Sequence, residues 1–402
     1  MKKIVIVGGG QAAGQAAASL CQKKFDGKIT IIGNENSLPY QRPPLSKQYL
    51  AGNFEREHLL IRQAEFYESR NVSVRSGVTV TAIDPGKKTL TTDKDDAVRF
   101  DKLLLATGAR PKRLDVPGVS LAGIHYLRSV ADVDRIRAQL PGAKHLCVVG
   151  GGYIGLEVAA VAISAGLEVT VIEAEERVLR RVATPELSAF YRNLHESHGV
   201  SIYVNAQVTG FAGDGAVSAV CCGDDEFPAD LVIVGIGIEP NVELAAAAGL
   251  ACDNGISVDE YCRTSSADIF AAGDCTHHPS PQLQRRLRLE SVPNALDQGR
   301  VAAVNMLGGN DIHDAVPWFW SDQYGLKLQM VGFAADGEFQ ILRGDVDANK
   351  FAVFHLADGA IVAVDAVNDP QSFMIGKRLF GKEVDRAILE DQSADLRALL
   401  KK

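Results

Sequence analysis

An α/β protein of two parallel-sheet units and a smaller α+β unit is expected from three features of the sequence. The first is Ile4 to Gly14, IVIVGGGQAAG, an apolar run that breaks at glycines and resumes as a small-residue segment. The second is Leu146 to Glu157, LCVVGGGYIGLE, where Gly150, Gly152 and Gly155 repeat the spacing of Gly8, Gly10 and Ala13. The third is a change of texture after Asp311, where short alternating stretches separated by turns follow the buried runs.

Ile4 to Val7 makes a buried strand, and the glycines open a helix through Ala12, Ala13 and Gly14. This is the Rossmann-like strand-turn-helix that holds a dinucleotide pyrophosphate. Gly8 permits the tight turn, Gly10 lets phosphates reach the backbone, and a small Ala13 lets helix pack on strand. A glycine turn in an ordinary βα unit explains either stretch taken alone. Its recurrence in one chain favours two dinucleotides exchanging electrons.

The chain has 402 residues, 46% hydrophobic and 23% charged, enough for two or three domains with proper cores. A net charge of -8 argues against nucleic acid as a main partner. The apolar run after Lys2 and Lys3 stops at the glycines, too short for a signal peptide, and no stretch approaches membrane-spanning length. A soluble, cytoplasmic protein is expected. Its seven cysteines fit no zinc, iron-sulfur or Cys-x-x-Cys spacing, so no metal is expected and no resident dithiol carries electrons. Cys221 and Cys222 are adjacent, and a reducing compartment disfavours pairing them.

Along the chain, Lys28 to Ile32 is the second strand, and an acid near its end binds a ribose diol in a dinucleotide fold. Glu35 can do this, or Asn34 can without charge. Pro39, Pro43 and Pro44 then fix an extended loop that carries Arg42 and Lys47, either of which is equally a solvated loop charge. Glu65 to Arg70 reads as a helix and Val72 to Ile83 as strands, with Val80 in the apolar set. Asp101 to Gly108 is a buried strand ending at Ala106, Thr107 and Gly108, where a first domain hands over to a second.

The second domain opens after Pro111 to Pro117 and a basic turn at Arg128. Its strand Glu168 to Ile172 ends at Glu173, about 20 residues past the glycines, where a ribose 2'-hydroxyl is recognised. A carboxylate there repels a 2'-phosphate and favours NADH over NADPH; nearby Arg177, Arg180 and Arg181 temper that preference. Asp230 to Ile238, containing Gly237, closes this unit as Asp101 to Gly108 closed the first. The chain then returns to domain one. Ile269 to Cys275 places Gly273 and Asp274 where a carboxylate meets a polyol, or makes a plain turn. A helix runs from Ser291 to Met306, strands follow at Phe339 to Arg343, Lys350 to Leu356 and Ile361 to Val367, and a helix ends the chain. Trp318, Phe319 and Trp320 form an aromatic cluster, more often core than site.

LPYQRPPLSK, DKLLLATGARP, VVGGGYIGLEVAA, FAAGDC, RLESVPNALDQ and PWFWSDQYGLKLQMVG, in this order from Ile4 to about Asn368, resemble the bacterial NADH-dependent FAD ferredoxin reductases of oxygenase systems, the putidaredoxin reductase-like group. The resemblance implies a glutathione-reductase-like fold: an FAD domain in two segments, 1–109 and 240–310, an NAD domain at 110–239, and a C-terminal interface domain at 311–402. It puts FAD contacts on Gly8, Gly10, Ala12, Asn34, Lys47, Val80, Arg128, Asp274 and Val292, with Arg42 and Pro43 nearby. The NAD motif contributes Gly150, Gly152, Tyr153, Ile154 and Gly155. Glu157 is similar to the family's glutamate beside the nicotinamide amide, and Trp320 to the aromatic where electrons leave. Lys47, Glu157 and Trp320 are thus the candidate catalytic residues.

The implied reaction passes a hydride from NADH to flavin, then single electrons to an acidic two-iron two-sulfur ferredoxin that docks transiently. Nicotinamide and isoalloxazine must then stack with reacting atoms roughly 3 to 3.5 Å apart. Lys47 would stabilise electron density near the flavin N5 side, with an Asp or Glu as partner. Arg285, Arg286, Arg288, Lys327, Lys377 and Arg378 are either a ferredoxin-docking patch or solvated surface. Rubredoxin reductases and monodehydroascorbate reductase-like enzymes share the flavin chemistry with other acceptors. An NADH oxidase or peroxidase needs a redox cysteine, and Leu38 to Lys47 holds none. A flavin-bound interaction protein of the apoptosis-inducing-factor type would be expected to carry a basic or targeting extension.

Overall fold

A computed structural model describes residues 2–401. The chain forms two compact units, one of residues 1–42, 55–110 and 238–317, the other of residues 43–54, 111–237 and 318–402.

In the first unit a five-stranded parallel sheet runs in the order Ile269–Ala271, Lys102–Leu105, Lys2–Val7, Gly27–Gly33, Val72–Ser76. Its three inner strands are rich in Ile, Val and Leu and largely buried, as cover on both faces demands, whereas the edge strand Val72–Ser76 is half-buried. Lys2–Val7 lies at the middle, with later strands added to either side. The strand order therefore reverses beside Gly8, the kind of crevice where α/β sheets bind ligands. Helix Gln11–Gln22 packs on helix Val292–Met306 through small residues. A Cβ on Gly299 would stand 2.6 Å from the Ala12 carbonyl oxygen, so only glycine lets the helices approach this closely.

The second unit repeats the plan with Ser201–Tyr203, Glu168–Ile172, His145–Val149, Leu231–Val234 and Ile124–Tyr126, again parallel with the glycine-bearing strand in the middle. The last 85 or so residues add an antiparallel sheet to this unit, ordered Trp318–Gln323, Leu326–Gly332, Ala360–Val367, Lys350–Ala357, Phe339–Asp345, with helix Pro370–Leu379 against it. Trp318 to Gln323, to which the sequence reading gave no secondary structure, is thus an edge strand. The loop expected to be extended throughout holds a 3-10 turn at Pro43–Ser46. The fixed proline φ suits that turn, and Leu38 and Arg42, each preceding a proline outside it or at its start, are the residues pushed towards extended backbone. No helix among the described residues is long and apolar enough to cross a membrane.

Candidate functional site

The first unit presents a cradle at the C-terminal end of its central strand. Gly8 has φ +128°, and a Cβ there would lie 2.0 Å from the Ala106 carbonyl oxygen. Gly10 caps helix Gln11–Gln22 without any side-chain hydrogen bond, no acid sits in the first turn, and a Cβ on Gly10 would meet open space. Unsatisfied N–H groups at such an N-terminus suit an anion. Ala12 and Ala13 are buried, and Gly14 packs against Ile61. Thr107 and Asn241 exchange reciprocal hydrogen bonds of 2.8 Å that tie the end of the Lys102–Leu105 strand. Val80 is buried.

The opposite wall is Gly273, Asp274 and the start of helix Val292–Met306. Gly273 N–H and the Thr276 hydroxyl both donate to Gln298 Oε1, at 2.8 and 2.9 Å. Gln298 Nε2 and Asn294 Oδ1, both buried, have no protein partner. Orphaned polar atoms beside an uncapped glycine turn fit a polar, phosphate-bearing cofactor such as FAD. Neither Gln298 nor Asn294 is among the site residues expected from the sequence.

Glu35 does not stand free at the second strand's end. Its carboxylate accepts from Arg42 Nη2 at 2.5 Å and from the Tyr40 hydroxyl. Burial opposes the Arg42 charge, but Tyr40, Glu35 and Asp274 outweigh it and hold the guanidinium above its ordinary pKa. Asn34 is exposed.

The second unit has its own cradle. Gly150 has φ +108° and Gly152 caps helix Tyr153–Ser164 without a side-chain hydrogen bond. A Cβ on Gly155 would lie 2.1 Å from the Gly150 carbonyl oxygen. Glu173 accepts from Gly151 N–H at 2.6 Å and Glu175 N–H at 2.9 Å, so its carboxylate is fixed at the glycine loop. Arg177 is committed to the carbonyls of Ala183, Thr184 and Arg180, and Arg180 to Glu176. The Arg181 guanidinium lies 3.2 Å from where a Cβ on Gly237 would stand. Ile154 is 42% exposed, whereas the Tyr153 ring packs on Phe319 and its hydroxyl on Met330 Sδ.

Lys47 and Glu157 meet within this unit, Nζ to Oε2 at 2.8 Å. The Ser46 hydroxyl donates to the same oxygen at 2.5 Å and the Ser321 hydroxyl to Oε1 at 2.6 Å. Gln323 Nε2 donates to Ser321 Oγ at 3.1 Å, Gln323 Oε1 lies 2.8 Å from His195 Nε2, and Tyr324 OH lies 2.9 Å from His195 Nδ1. Ser46, Ser321, Gln323, His195 and Tyr324 were all missed as site residues. Alternation of Ser321 and Gln323 on one strand face was the available signal. A cavity of about 430 Å³ lies alongside, lined by Lys47, Glu157, Gln323 and Tyr324 among others.

Arg128 precedes helix Val130–Gln139, its N–H donating to Asp132. Trp320 lies 5.6 Å from the Trp318 ring, which Lys377 overlies at 4.6 Å. Arg286 is pinned to the carbonyls of Val258 and His277, and Arg288 to Glu290 and Asn254. Arg378 and Lys327 are exposed. All seven cysteines are free thiols, Cys221 and Cys222 included.

Residues 2–299 match the pyridine nucleotide-disulphide oxidoreductase family and residues 318–400 the reductase C-terminal family. The chain is 42% identical to putidaredoxin reductase of Pseudomonas putida, covering 99% of this chain and 96% of that protein. It is 41% identical to the ferredoxin–NAD(+) reductase component of the anthranilate 1,2-dioxygenase system of Burkholderia cepacia, covering 98% of each. The covalent putidaredoxin reductase-putidaredoxin complex contains a chain with TM-score 0.95 and 41% identity, covering 99% of this chain and 98% of that one.

Proposed function

The chain belongs to the pyridine nucleotide-disulphide oxidoreductase family, and within it we propose an NADH-dependent ferredoxin reductase. Electrons pass from NADH through FAD to a two-iron two-sulfur ferredoxin that feeds a monooxygenase or dioxygenase. The observation that carries this reading is the pair of uncapped, glycine-led helix N-termini at Gly10 and Gly152, in a chain similar over nearly its whole length to such reductases.

FAD, when bound, accepts electrons in pairs and releases them singly, which nicotinamide and an iron-sulfur cluster cannot do for one another. Gly8, Gly10, Ala12, Ala13 and Gly14 would hold its pyrophosphate, and Gly273, Asp274 and Val292 its polyol and ring side. Val80, Ala106, Thr107, Gly108, Arg42, Pro43 and Arg128 complete the proposed set. For the adenosine ribose we assign Asn34 and Glu35, whose carboxylate is held by Arg42 and Tyr40 and keeps lone pairs for a diol. Gly150, Gly152, Tyr153, Ile154, Gly155 and Gly237 would take NADH, with Glu173 disfavouring a 2'-phosphate. Lys47, held by Glu157, would offer positive charge to the flavin ring, and Trp320 is assigned to electron exit. The segments 1–109 and 240–310, 110–239, and 311–402 are proposed as the FAD, NAD and interface domains, in a cytoplasmic protein.

The test is anaerobic. Purified protein should be yellow and bleach on NADH, then pass electrons to a two-iron two-sulfur ferredoxin faster than to rubredoxin or monodehydroascorbate. With Arg288 paired to Glu290, Arg285, Arg286, Lys327, Lys377 and Arg378 are the docking candidates. The second-order rate with ferredoxin should fall as salt rises. A colourless protein, or one indifferent to every ferredoxin, would refute the assignment.

A further inference from the structure

We propose that Gln323 and His195 are positioning residues for the NADH half-reaction, fixing through Ser321 the orientation in which Glu157 holds Lys47. This rests on the reductase reading above. The four links lie inside one unit: Glu157 on helix Tyr153–Ser164, Ser321 and Gln323 on strand Trp318–Gln323, His195 on helix Pro185–Ser197. Glu157, Ser321, Gln323 and His195 are all 3% exposed or less.

The row has a direction. Ser321 donates to the Glu157 carboxylate, and Gln323 Nε2 donates to Ser321. Gln323 Oε1 can then only accept, so His195 must present an N–H at Nε2. That leaves His195 Nδ1 to accept from the Tyr324 hydroxyl. Each donor thus points towards Glu157, and bonds aligned this way reinforce one another. Tyr324 is itself fixed by stacking on His198 at 3.8 Å. Burial pushes the His195 pKa down to about 4, which keeps the ring neutral as this pattern requires.

The alternative orientation shows what His195 contributes. A rotated Gln323 amide would offer its oxygen to Ser321, whose hydroxyl would then turn from Glu157 to Gln323. Glu157 Oε1 would lose its donor, and the carboxylate could swing about the bonds from Ser46 and Lys47. A donor at His195 Nε2 forbids that rotation, because it would face two amide hydrogens.

The test uses the full chain with flavin bound. Gln323→Leu and His195→Phe should each lower the limiting rate of flavin reduction by NADH roughly tenfold while the NADH dissociation constant holds. His195→Gln, which restores a donor, should recover most of the rate. Nitrogen-15 NMR of the wild type should show His195 protonated at Nε2. An unchanged rate in folded Gln323→Leu, a loss confined to NADH affinity, or an Nδ1-protonated His195 overturns the proposal. Should those variants not fold, Ser321→Ala removes the last link alone and the tautomer still decides. A wild type that NADH does not reduce overturns the reductase reading and this proposal together, whereas a reducible wild type with indifferent variants overturns this proposal only.

Discussion

Lys47 Nζ stands 2.8 Å from Glu157 Oε2, and the carboxylate is almost wholly buried. Removing one member leaves an uncompensated charge, which costs more than removing both. Lys47→Met should therefore destabilise the protein by about 3 kcal/mol, and the double variant Lys47→Met with Glu157→Gln by clearly less. Urea unfolding of the three proteins decides it. Lys47→Met should also slow flavin reduction in stopped flow; a double variant no more stable than the single would show the pair to be uncoupled.

The two cradle glycines should fail differently. Gly8 combines φ +128° with a collision at the Ala106 carbonyl, so Gly8→Ala strains the fold itself. Gly10 has φ -97° and open space around its Cβ position. Gly10→Ala should give a protein that melts cooperatively yet carries far less flavin, because the methyl stands where phosphates would approach. Absorbance at the flavin band against circular dichroism separates the two outcomes, and full flavin content in Gly10→Ala would place the phosphates elsewhere.

Both parallel sheets were legible because strand runs such as IVIV and CVVG and their glycine turns are local signals. The place of Glu173 at the glycine loop was legible in its spacing, and Lys47 and Glu157 were named by resemblance. What the sequence withheld were partners made by tertiary packing: Arg42 and Tyr40 closing on Glu35, or His195 reaching Gln323 across more than a hundred residues. A histidine on an amphipathic helix looks the same whether it faces core or site. The aromatic triplet at Trp318 read as core, since an edge strand with half-buried alternation differs little from a cluster.

Glu173 is proposed to set cofactor choice, and its carboxylate has a structural task as well. It anchors the glycine loop through Gly151 N–H, and on the proposed reading its negative charge would repel a 2'-phosphate. Glu173→Arg should lower kcat/KM for NADH about tenfold or more and raise it for NADPH. Glu173→Gln keeps an acceptor for Gly151 and should retain most NADH activity while losing discrimination. Steady-state kinetics with both nucleotides test this, and wild-type protein that uses NADPH equally well would remove Glu173 from the specificity role.

Acid should weaken the fold through its buried histidines. Burial drives the pKa of His195 to about 4 and of His278 to about 3, from 6.5. In the window between those values and 6.5 the unfolded chain binds protons that the folded chain refuses. Stability is therefore full above pH 6.5 and declines as pH falls towards 4, by at most about 1.4 kcal/mol per pH unit for each histidine. His278 packs edge-on against His313, whose ring is held by Asp297, and its own Nδ1 is without a partner, so a neutral replacement sacrifices no hydrogen bond there. His278→Leu should flatten the slope of unfolding free energy between pH 6.5 and 4 relative to the wild type. Urea midpoints across that range measure it, and an identical slope would mean that His278 is already exposed to solvent protons in the folded state.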